Sequence, residues 1–133
     1  MCGIIGYIGN NNASPILFKS LKRMEYRGYD SAGIATINNN ELILKKDIGR
    51  IDQINEKIKF DTMKGRIGIA HTRWATHGAV AIENSHPHIS CNEEIALVHN
   101  GIIDNYKQLQ EELSTKHNFK SETDTEVIVH LIE

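Results

Sequence analysis

The sequence has only two cysteines, Cys2 and Cys91, and it has no long apolar run. With so few cysteines, we expect no disulfide in a reducing compartment, and a lone cysteine becomes a candidate nucleophile. No segment approaches the roughly 20 apolar residues that a membrane-spanning helix needs. The N-terminus also lacks the charged and apolar regions of a secretory signal. We therefore expect a cytoplasmic protein with no membrane partner.

An excess of either charge is also missing, because 15 basic and 17 acidic residues give a formal net charge of −2. This balance excludes a broad basic surface, and with it nucleic acid as the expected partner. The 133 residues contain no internal repeat, linker or low-complexity segment. Their number fits one domain with a real core.

The apolar patterns that are present predict a mixture of strands and helices. Strands are expected at residues 3–8, 66–71 and 94–99, and a hairpin is expected around Asn38, Asn39 and Asn40. Helices are expected at residues 14–24, near 51–58, from Tyr106 onward and near the C-terminus. Between the second and third strands lies a polar loop of about 20 residues, and loops of that length are usually functional or disordered.

The last segment, SETDTEVIVHLIE, contains a predicted capping box. Thr123 is the expected N-cap, and Glu126 lies three residues further on. Apolar residues then continue toward Glu133 with no Gly, Pro or basic residue to end the helix. We therefore expect the chain to be a fragment of a longer protein that is cut inside this helix.

Cys2 directly follows the initiator methionine, so removal of Met1 gives it a free α-amine beside its thiol. The thiolate is the nucleophilic form of cysteine, and an α-amine with a pKa of about 8 can accept the thiol proton. Gly3 permits a close approach of the backbone. The alternative interpretation is that Cys2 is a small buried residue that begins a strand.

Asn100 and Gly101 follow the predicted strand at residues 94–99. Attack on an amide carbonyl creates an oxyanion, and an Asn side-chain amide with an adjacent backbone N–H can stabilise it. The alternative is a tight turn, because Asn-Gly is also a common turn sequence.

The segment HTRWATHG follows the strand at residues 66–71. Arg73 offers a planar fork for a carboxylate, Thr76 and His77 offer polar contacts, and Trp74 could act as a movable cover. A surface loop anchored by one Trp would explain the same residues. Asp124 could bind an ammonium group, or it could be a charge that a helix dipole favours.

Several histidines raise the question of a metal site. His71, His77, His86, His88 and His99 could act as ligands, with Cys91 nearby in sequence. Their spacing matches no zinc signature, so we expect no metal.

Taken in order, CG, RGYDSAG, AHTRWATHG, HNG and SETDTE resemble the class II glutamine amidotransferases, which are N-terminal-nucleophile hydrolases. The segment LKRMEYRGYDSAGIA is most similar to members whose acceptor is fructose 6-phosphate. The resemblance implies an α+β fold, an αββα sandwich that would be incomplete at residue 133. It also implies no cofactor, L-glutamine as substrate, an absent downstream sugar-isomerase domain and a homodimeric full-length enzyme.

The resemblance further implies a role for each matching position. Cys2 would be the nucleophile that forms a γ-glutamyl thioester, with its own α-amine as the base. Asn100 and Gly101 would form the oxyanion hole, while Arg73 and Asp124 would bind the α-carboxylate and α-amine of glutamine. Thr76 and His77 would contact the substrate, and Trp74 would gate the passage of ammonia. Arg27 and Gly28 would support the loop around the N-terminal Cys.

Three alternatives stay open at the level of the sequence. The acceptor could be phosphoribosyl pyrophosphate or aspartate rather than fructose 6-phosphate. The chain could instead be a metal-binding or structural domain that uses His86, His88 and Cys91. It could also be an inert fragment with a correct site on an incomplete fold, and a retained Met1 would block the α-amine in any case.

Overall fold

The computed structural model describes residues 1–133, in which apolar strand segments pair into an antiparallel four-stranded sheet. The strands are β1 (Gly3–Ile8), β2 (Ser31–Asn38), β3 (Glu41–Ile48) and β4 (Ile67–Arg73). Their order across the sheet is β1-β4-β2-β3, so the predicted β2–β3 hairpin sits at one side. Asn39 and Asn40 form its turn with φ values of 51° and 64°, a conformation that Asn tolerates well.

Two helices, α1 (Ala13–Met24) and α2 (Ile51–Ile58), cover one face of this sheet. The helical spacing of Ala13, Leu17 and Leu21 aligns these fully buried side chains on the face of α1 that meets the core. The strands contribute the small and branched side chains of Ala32, Ile34 and Ala70 to the same core. Burial of this common apolar face holds the helices on the sheet.

A second, smaller sheet faces the other side of the first one. It pairs β5 (His88–Ile89) with β6 (Ala96–Leu97), and residues of both sheets line a shared apolar groove. Helices α3 (Tyr106–Leu113) and α4 (Glu126–Ile132) pack against each other, and α4 also packs on β5 and β6. The layers therefore follow the order helix, sheet, sheet, helix, which confirms the predicted α+β fold class and its αββα arrangement.

Strand alternation decides which side chains enter the space between the sheets. Ala70 on β4 points into the helix-covered core, and Thr72 lies on the same face. His71 and Arg73 therefore point to the opposite face, toward the second sheet. The pairing of Gly3 with Thr72 brings Cys2, one residue earlier, to the end of β4. The N-terminus and the loop after β4 thus meet at one edge of the sandwich.

The long loop after β4 is ordered by contacts from other parts of the chain. The ammonium group of Lys46 on β3 donates to the carbonyls of Ser85, at 2.6 Å, and Pro87, at 3.1 Å. The amide of Asn84 bridges the loop to Glu122 at 3.0 Å. These contacts exclude the disordered alternative for this part of the loop.

The structure differs from the sequence prediction at two elements of the second half. The strand expected at residues 94–99 is limited to Ala96–Leu97, because β5 offers only two residues for it to pair with. The Thr123–Glu126 capping box is wrong: α4 begins at Glu126, and the Thr123 hydroxyl contacts His88 at 2.8 Å. The Glu126 carboxylate instead accepts the backbone N–H groups of Lys120 and Ser121.

The longest helix, α1, has 12 residues, so no helix has the length and apolar character needed to cross a membrane.

Candidate active site

A cavity of about 510 Å³ opens between the sheets beside the start of β1 and the end of β4. It brings together side chains that are far apart in the sequence. All the predicted site residues except Gly28 line it: Cys2, Arg27, Arg73, Trp74, Thr76, His77, Asn100, Gly101 and Asp124. The structure therefore gathers the candidate nucleophile, oxyanion donors and charged groups in one place.

The Cys2 thiol lies against the backbone that follows β4. Its sulfur accepts the Trp74 N–H at 3.2 Å and lies 3.5 Å from the Trp74 carbonyl oxygen. The next residue, Gly3, donates its N–H to the Thr72 hydroxyl at 3.1 Å. Met1 is 79% exposed, so its removal would uncover the Cys2 amine without loss of packing.

Asn100 is held beside Cys2 by a buried histidine. The Asn100 side-chain oxygen lies 2.8 Å from His71 Nε2, and the Asn100 amide nitrogen donates to the Cys2 carbonyl at 3.1 Å. Because the Asn oxygen can only accept, His71 Nε2 must carry the proton. This contact fixes the orientation of Asn100 with its NH₂ group toward Cys2.

Gly101 adopts a backbone conformation that disfavours a side chain. Its φ is +156°, and a Cβ at this position would lie 2.7 Å from His99 Nε2. His99 is itself positioned by Thr125, whose hydroxyl lies 3.2 Å from His99 Nδ1. The Gly101 backbone N–H can therefore reach the cavity next to Asn100 without a side chain between them.

Arg73 places a buried positive charge at the cavity. It is 4% exposed and has no carboxylate within ion-pair distance. Its guanidinium donates to the carbonyls of His77, Gly78 (3.3 Å) and Ala79 (3.0 Å), which holds the loop after β4. Burial lowers the pKa of Arg73, and the nearby charges of Cys2 and Asp30 act in the opposite direction. Because no carboxylate contacts this cation, it favours an anionic ligand.

Asp124 places a buried negative charge at the same cavity. It is 5% exposed, and its Oδ2 accepts the Ile103 N–H at 2.7 Å. The other oxygen is 3.5 Å from the Thr125 hydroxyl and has no cationic partner. The cavity thus contains one unpaired cation and one unpaired anion, the pattern that a zwitterionic amino acid requires.

The loop residues Thr76 and His77 are exposed at the cavity, and the His77 ring packs edge-on against Tyr106 at 5.0 Å. Trp74 is 41% exposed and packs edge-on against Tyr29 at 5.2 Å. Tyr29 in turn lies under the Arg50 guanidinium at 5.2 Å. The Trp74 ring therefore packs against Tyr29 and is otherwise partly exposed. Gating by Trp74 and substrate contact by Thr76 and His77 stay predictions.

Arg27 lines the cavity together with Cys2, and Gly28 lies against the backbone of Arg73 and Trp74. A Cβ on Gly28 would lie 2.8 Å from the Arg73 carbonyl carbon and 2.9 Å from the Trp74 nitrogen, so only glycine allows this approach. Asp30 was not predicted to be a site residue, although it lies in the RGYDSAG motif. Its Oδ2 accepts the Ala75 N–H at 2.8 Å, and its own N–H donates to the Arg73 carbonyl at 3.1 Å.

Three of the five candidate metal ligands, His71, His86 and His88, form a buried stack instead. The His71 and His86 rings are parallel with centroids 4.2 Å apart, and His88 meets His86 edge-on at 4.6 Å. Cys91 lies elsewhere, with His117 and His130, so His86, His88 and Cys91 do not form the alternative metal site. The sequence does not predict that His71 positions Asn100, because their contact depends on the fold.

Acid is expected to destabilise the protein through this stack. Burial lowers the pKa of His71 to about 4 and that of His88 to about 3, and it also lowers the pKa of His86. In the unfolded chain these pKa values return to about 6.5. Below pH 6.5 the unfolded chain therefore binds protons that the native chain does not. Each histidine should lower the free energy of unfolding by up to about 1.4 kcal/mol per pH unit.

Urea unfolding between pH 7 and pH 5 measures this effect, and we expect the proton uptake on unfolding to approach three near pH 5. The exposed His77 is a matched control, because His77→Gln should leave the slope unchanged. A stability that does not change with pH in this window would contradict the neutral buried stack.

A family model and several curated proteins match the sequence of this chain. A family model described as a glutamine amidotransferase domain matches residues 57–133. Glutamine--fructose-6-phosphate aminotransferase [isomerizing] of Methanococcus maripaludis is 61% identical, and the alignment covers 100% of this chain and 22% of the relative. The enzyme of the same name from Streptococcus pyogenes is 54% identical over 99% of this chain and 22% of the relative. The chain thus spans about a fifth of the length of these curated relatives.

Two solved structures share the fold. Glutamine phosphoribosylpyrophosphate amidotransferase from B. subtilis, complexed with ADP and GMP, gives a TM-score of 0.83 at 32% identity. A structure described as the allosteric regulatory enzyme of purine biosynthesis gives a TM-score of 0.85 at 31% identity. Each match covers 99% of this chain and 29% of the other one. These TM-scores show that nearly the whole chain, and not only the order of its layers, follows the same fold.

Proposed function

The chain belongs to the glutamine amidotransferase family, and from this membership we propose that it hydrolyses the side-chain amide of L-glutamine. The observation that carries the proposal is the position of Asn100. Its amide donates to the Cys2 backbone at 3.1 Å, within a cavity that also contains the unpaired charges of Arg73 and Asp124. A nucleophile, an oxyanion donor and a zwitterion site are thereby combined.

The proposed reaction begins after removal of Met1. The Cys2 α-amine takes the thiol proton, directly or through water, and the thiolate attacks the amide carbon of glutamine. A new C–S bond forms while the carbonyl oxygen becomes an oxyanion, which the Asn100 side chain and the Gly101 N–H stabilise. The ammonium of Cys2 then protonates the leaving nitrogen, ammonia departs, and water cleaves the thioester to give glutamate.

In this proposal, Arg73 binds the α-carboxylate of glutamine and Asp124 binds its α-ammonium group. Both residues are buried, so the ligand would replace solvent around charges that have no partner in the protein. Thr76 and His77 contact the substrate from the loop, and Trp74 gates the passage of ammonia. Arg27 and Gly28 support the N-terminal loop. The reaction needs no cofactor.

We further propose that a longer protein delivers the ammonia to fructose 6-phosphate. Curated relatives at 52–61% identity carry the corresponding name, whereas the amidophosphoribosyltransferase-type structures are 31–32% identical. The chain would then be the N-terminal part of the glutaminase domain, and a downstream sugar-isomerase domain would bind the acceptor. A homodimer in the cytoplasm is the proposed setting, since a reducing compartment keeps the Cys2 thiol free.

Labelling with a diazo-ketone analogue of glutamine tests the proposed activity. We expect intact mass to show loss of Met1 and one label, on Cys2. Arg73→Ala should slow labelling by about 10- to 100-fold, because it removes a charge-assisted contact to the α-carboxylate. Asp124→Asn should slow it similarly while it preserves the acceptor for the Ile103 N–H.

Arg66→Ala is the matched control, since Arg66 is exposed immediately before β4 and outside the cavity. This variant should be labelled at the rate of the unchanged chain. An unlabelled chain that lacks Met1 would contradict the proposed function, and so would labelling of Arg73→Ala and Asp124→Asn at the rate of the unchanged chain.

A further inference from the structure

A second group of reactive side chains lies outside the cavity, around the C-terminal end of α4. It comprises Cys91 on the loop after β5, His117 after α3, His130 on α4, and Glu133. One donor atom from each residue lies within 4.8 Å of all the others. None of the four lines the candidate active site. Their convergence from three separate segments sets them apart from an ordinary surface cluster.

The distances suit a small tetrahedral cation. Zinc ligands at about 2.0–2.3 Å from the metal lie roughly 3.3–3.8 Å from one another. Cys91 Sγ lies 3.7 Å from His130 Nδ1, and Glu133 Oε2 lies 2.9 Å from His117 Nδ1 and 3.2 Å from His130 Nδ1. Only small adjustments would place a metal between the four atoms.

The surroundings of the cluster match those of metal ligands in proteins. His130 has a side chain that is 1% exposed, and its other ring nitrogen, Nε2, faces a Glu126 carboxylate oxygen at 3.5 Å without a hydrogen bond. A carboxylate behind a ligating histidine orients the ring and fixes its tautomer. Cys91 Sγ also accepts the Asn118 N–H at 3.3 Å, a contact that stabilises a thiolate.

We propose that Cys91, His117, His130 and Glu133 form a zinc-binding site. One thiolate, two imidazoles and one carboxylate favour Zn²⁺ over hard cations such as Mg²⁺ or Ca²⁺. Four protein ligands close the site, which indicates a structural role rather than a catalytic one. On binding, the Cys91 thiol releases its proton to solvent as the S–Zn bond forms.

The site would tie the loop after β5 to α3 and α4. Helix α4 begins two residues after Asp124, and Thr125, its N-cap residue, contacts His99 beside Gly101. The metal would therefore stabilise the helix next to one wall of the active-site cavity. This role is independent of the proposed glutaminase reaction, because the metal touches none of the reacting groups.

Cobalt and zinc titrations of the full, metal-free chain test the proposal. We expect one equivalent of Co²⁺ to produce a thiolate-to-cobalt absorption band, and one equivalent of Zn²⁺ to displace it. Saturating Zn²⁺ should raise the melting temperature by roughly 5–10 °C. Cys91→Ser should lose the band, and His117→Ala should weaken Zn²⁺ binding by at least about 10-fold.

Cys2→Ser is the matched control, since Cys2 and Cys91 are the two cysteines of the chain. It should keep the band and the melting shift, although it loses the proposed nucleophile. Cys91 is exposed, so Cys91→Ser should unfold at the same temperature as the metal-free unchanged chain. The absence of a band, or a band that Cys2→Ser abolishes and Cys91→Ser retains, would overturn the zinc site.

Discussion

Replacement of Cys2 with alanine is expected to lower glutamine hydrolysis by at least about 10⁴-fold, the largest effect of any single substitution in this chain. The variant loses the sulfur that would form the proposed thioester, and the cavity offers no second thiol. Thermal stability should change little, because Cys2 is only partly buried and its sulfur hydrogen-bonds to the Trp74 backbone alone. Ammonia release from glutamine, measured on the Met1-free chain, provides the readout.

Cys91→Ser is the control for this prediction, because it removes the other thiol and lies outside the cavity. It should hydrolyse glutamine at close to the unchanged rate when both chains are free of metal. Substantial turnover by Cys2→Ala, or an equal loss in Cys91→Ser, would remove Cys2 from the role of nucleophile.

A blocked N-terminus should produce the same loss while every side chain remains in place. If Met1 is retained, the nitrogen of Cys2 is an amide and can no longer accept the thiol proton. Because Met1 is exposed, its retention should not disturb the fold. Loss of the free α-amine can therefore be measured separately from loss of folding. Activity in a chain shown by mass to retain Met1 would mean that another group serves as the base.

Local patterns sufficed to predict several elements in the first half of the chain. The hairpin around Asn39 and Asn40, helix α1 and strand β1 follow from turn residues and from the spacing of apolar side chains. Strand β6 was predicted too long, because its length depends on β5, a partner only two residues long. The capping box at Thr123 failed for a similar reason: His88 takes the Thr123 hydroxyl across a sequence separation of 35 residues.

The candidate site shows the same division. The residues that would touch substrate, such as Arg73 and Asp124, can be recognised in the sequence because they are the charged side chains of its motifs. The supporting contacts are not recognisable there, since His71 meets Asn100 across 29 residues of the chain and Asp30 meets Ala75 across 45. The proposed zinc site also could not be predicted from the sequence spacing of Cys91, His117 and His130, because three segments of the fold bring its residues together.

Asn100→Asp is expected to lower turnover by about 10²–10³-fold with little change in the Michaelis constant for glutamine. An aspartate has the same shape and still accepts the His71 Nε2 proton, so the fold and this contact should persist. It cannot donate, however, and its charge repels both the Cys2 thiolate and the oxyanion. The loss therefore falls on the transition state rather than on substrate binding.

Asn105→Ala is the matched control, because Asn105 lies five residues further on and makes no side-chain capping bond at the start of α3. A comparison of kcat and KM for the two variants separates positioning from binding. If Asn100→Asp raised KM and left kcat unchanged, Asn100 would be a substrate-binding residue. The His71 contact would then serve to shape the pocket, and the Gly101 N–H would have to stabilise the oxyanion without its neighbour.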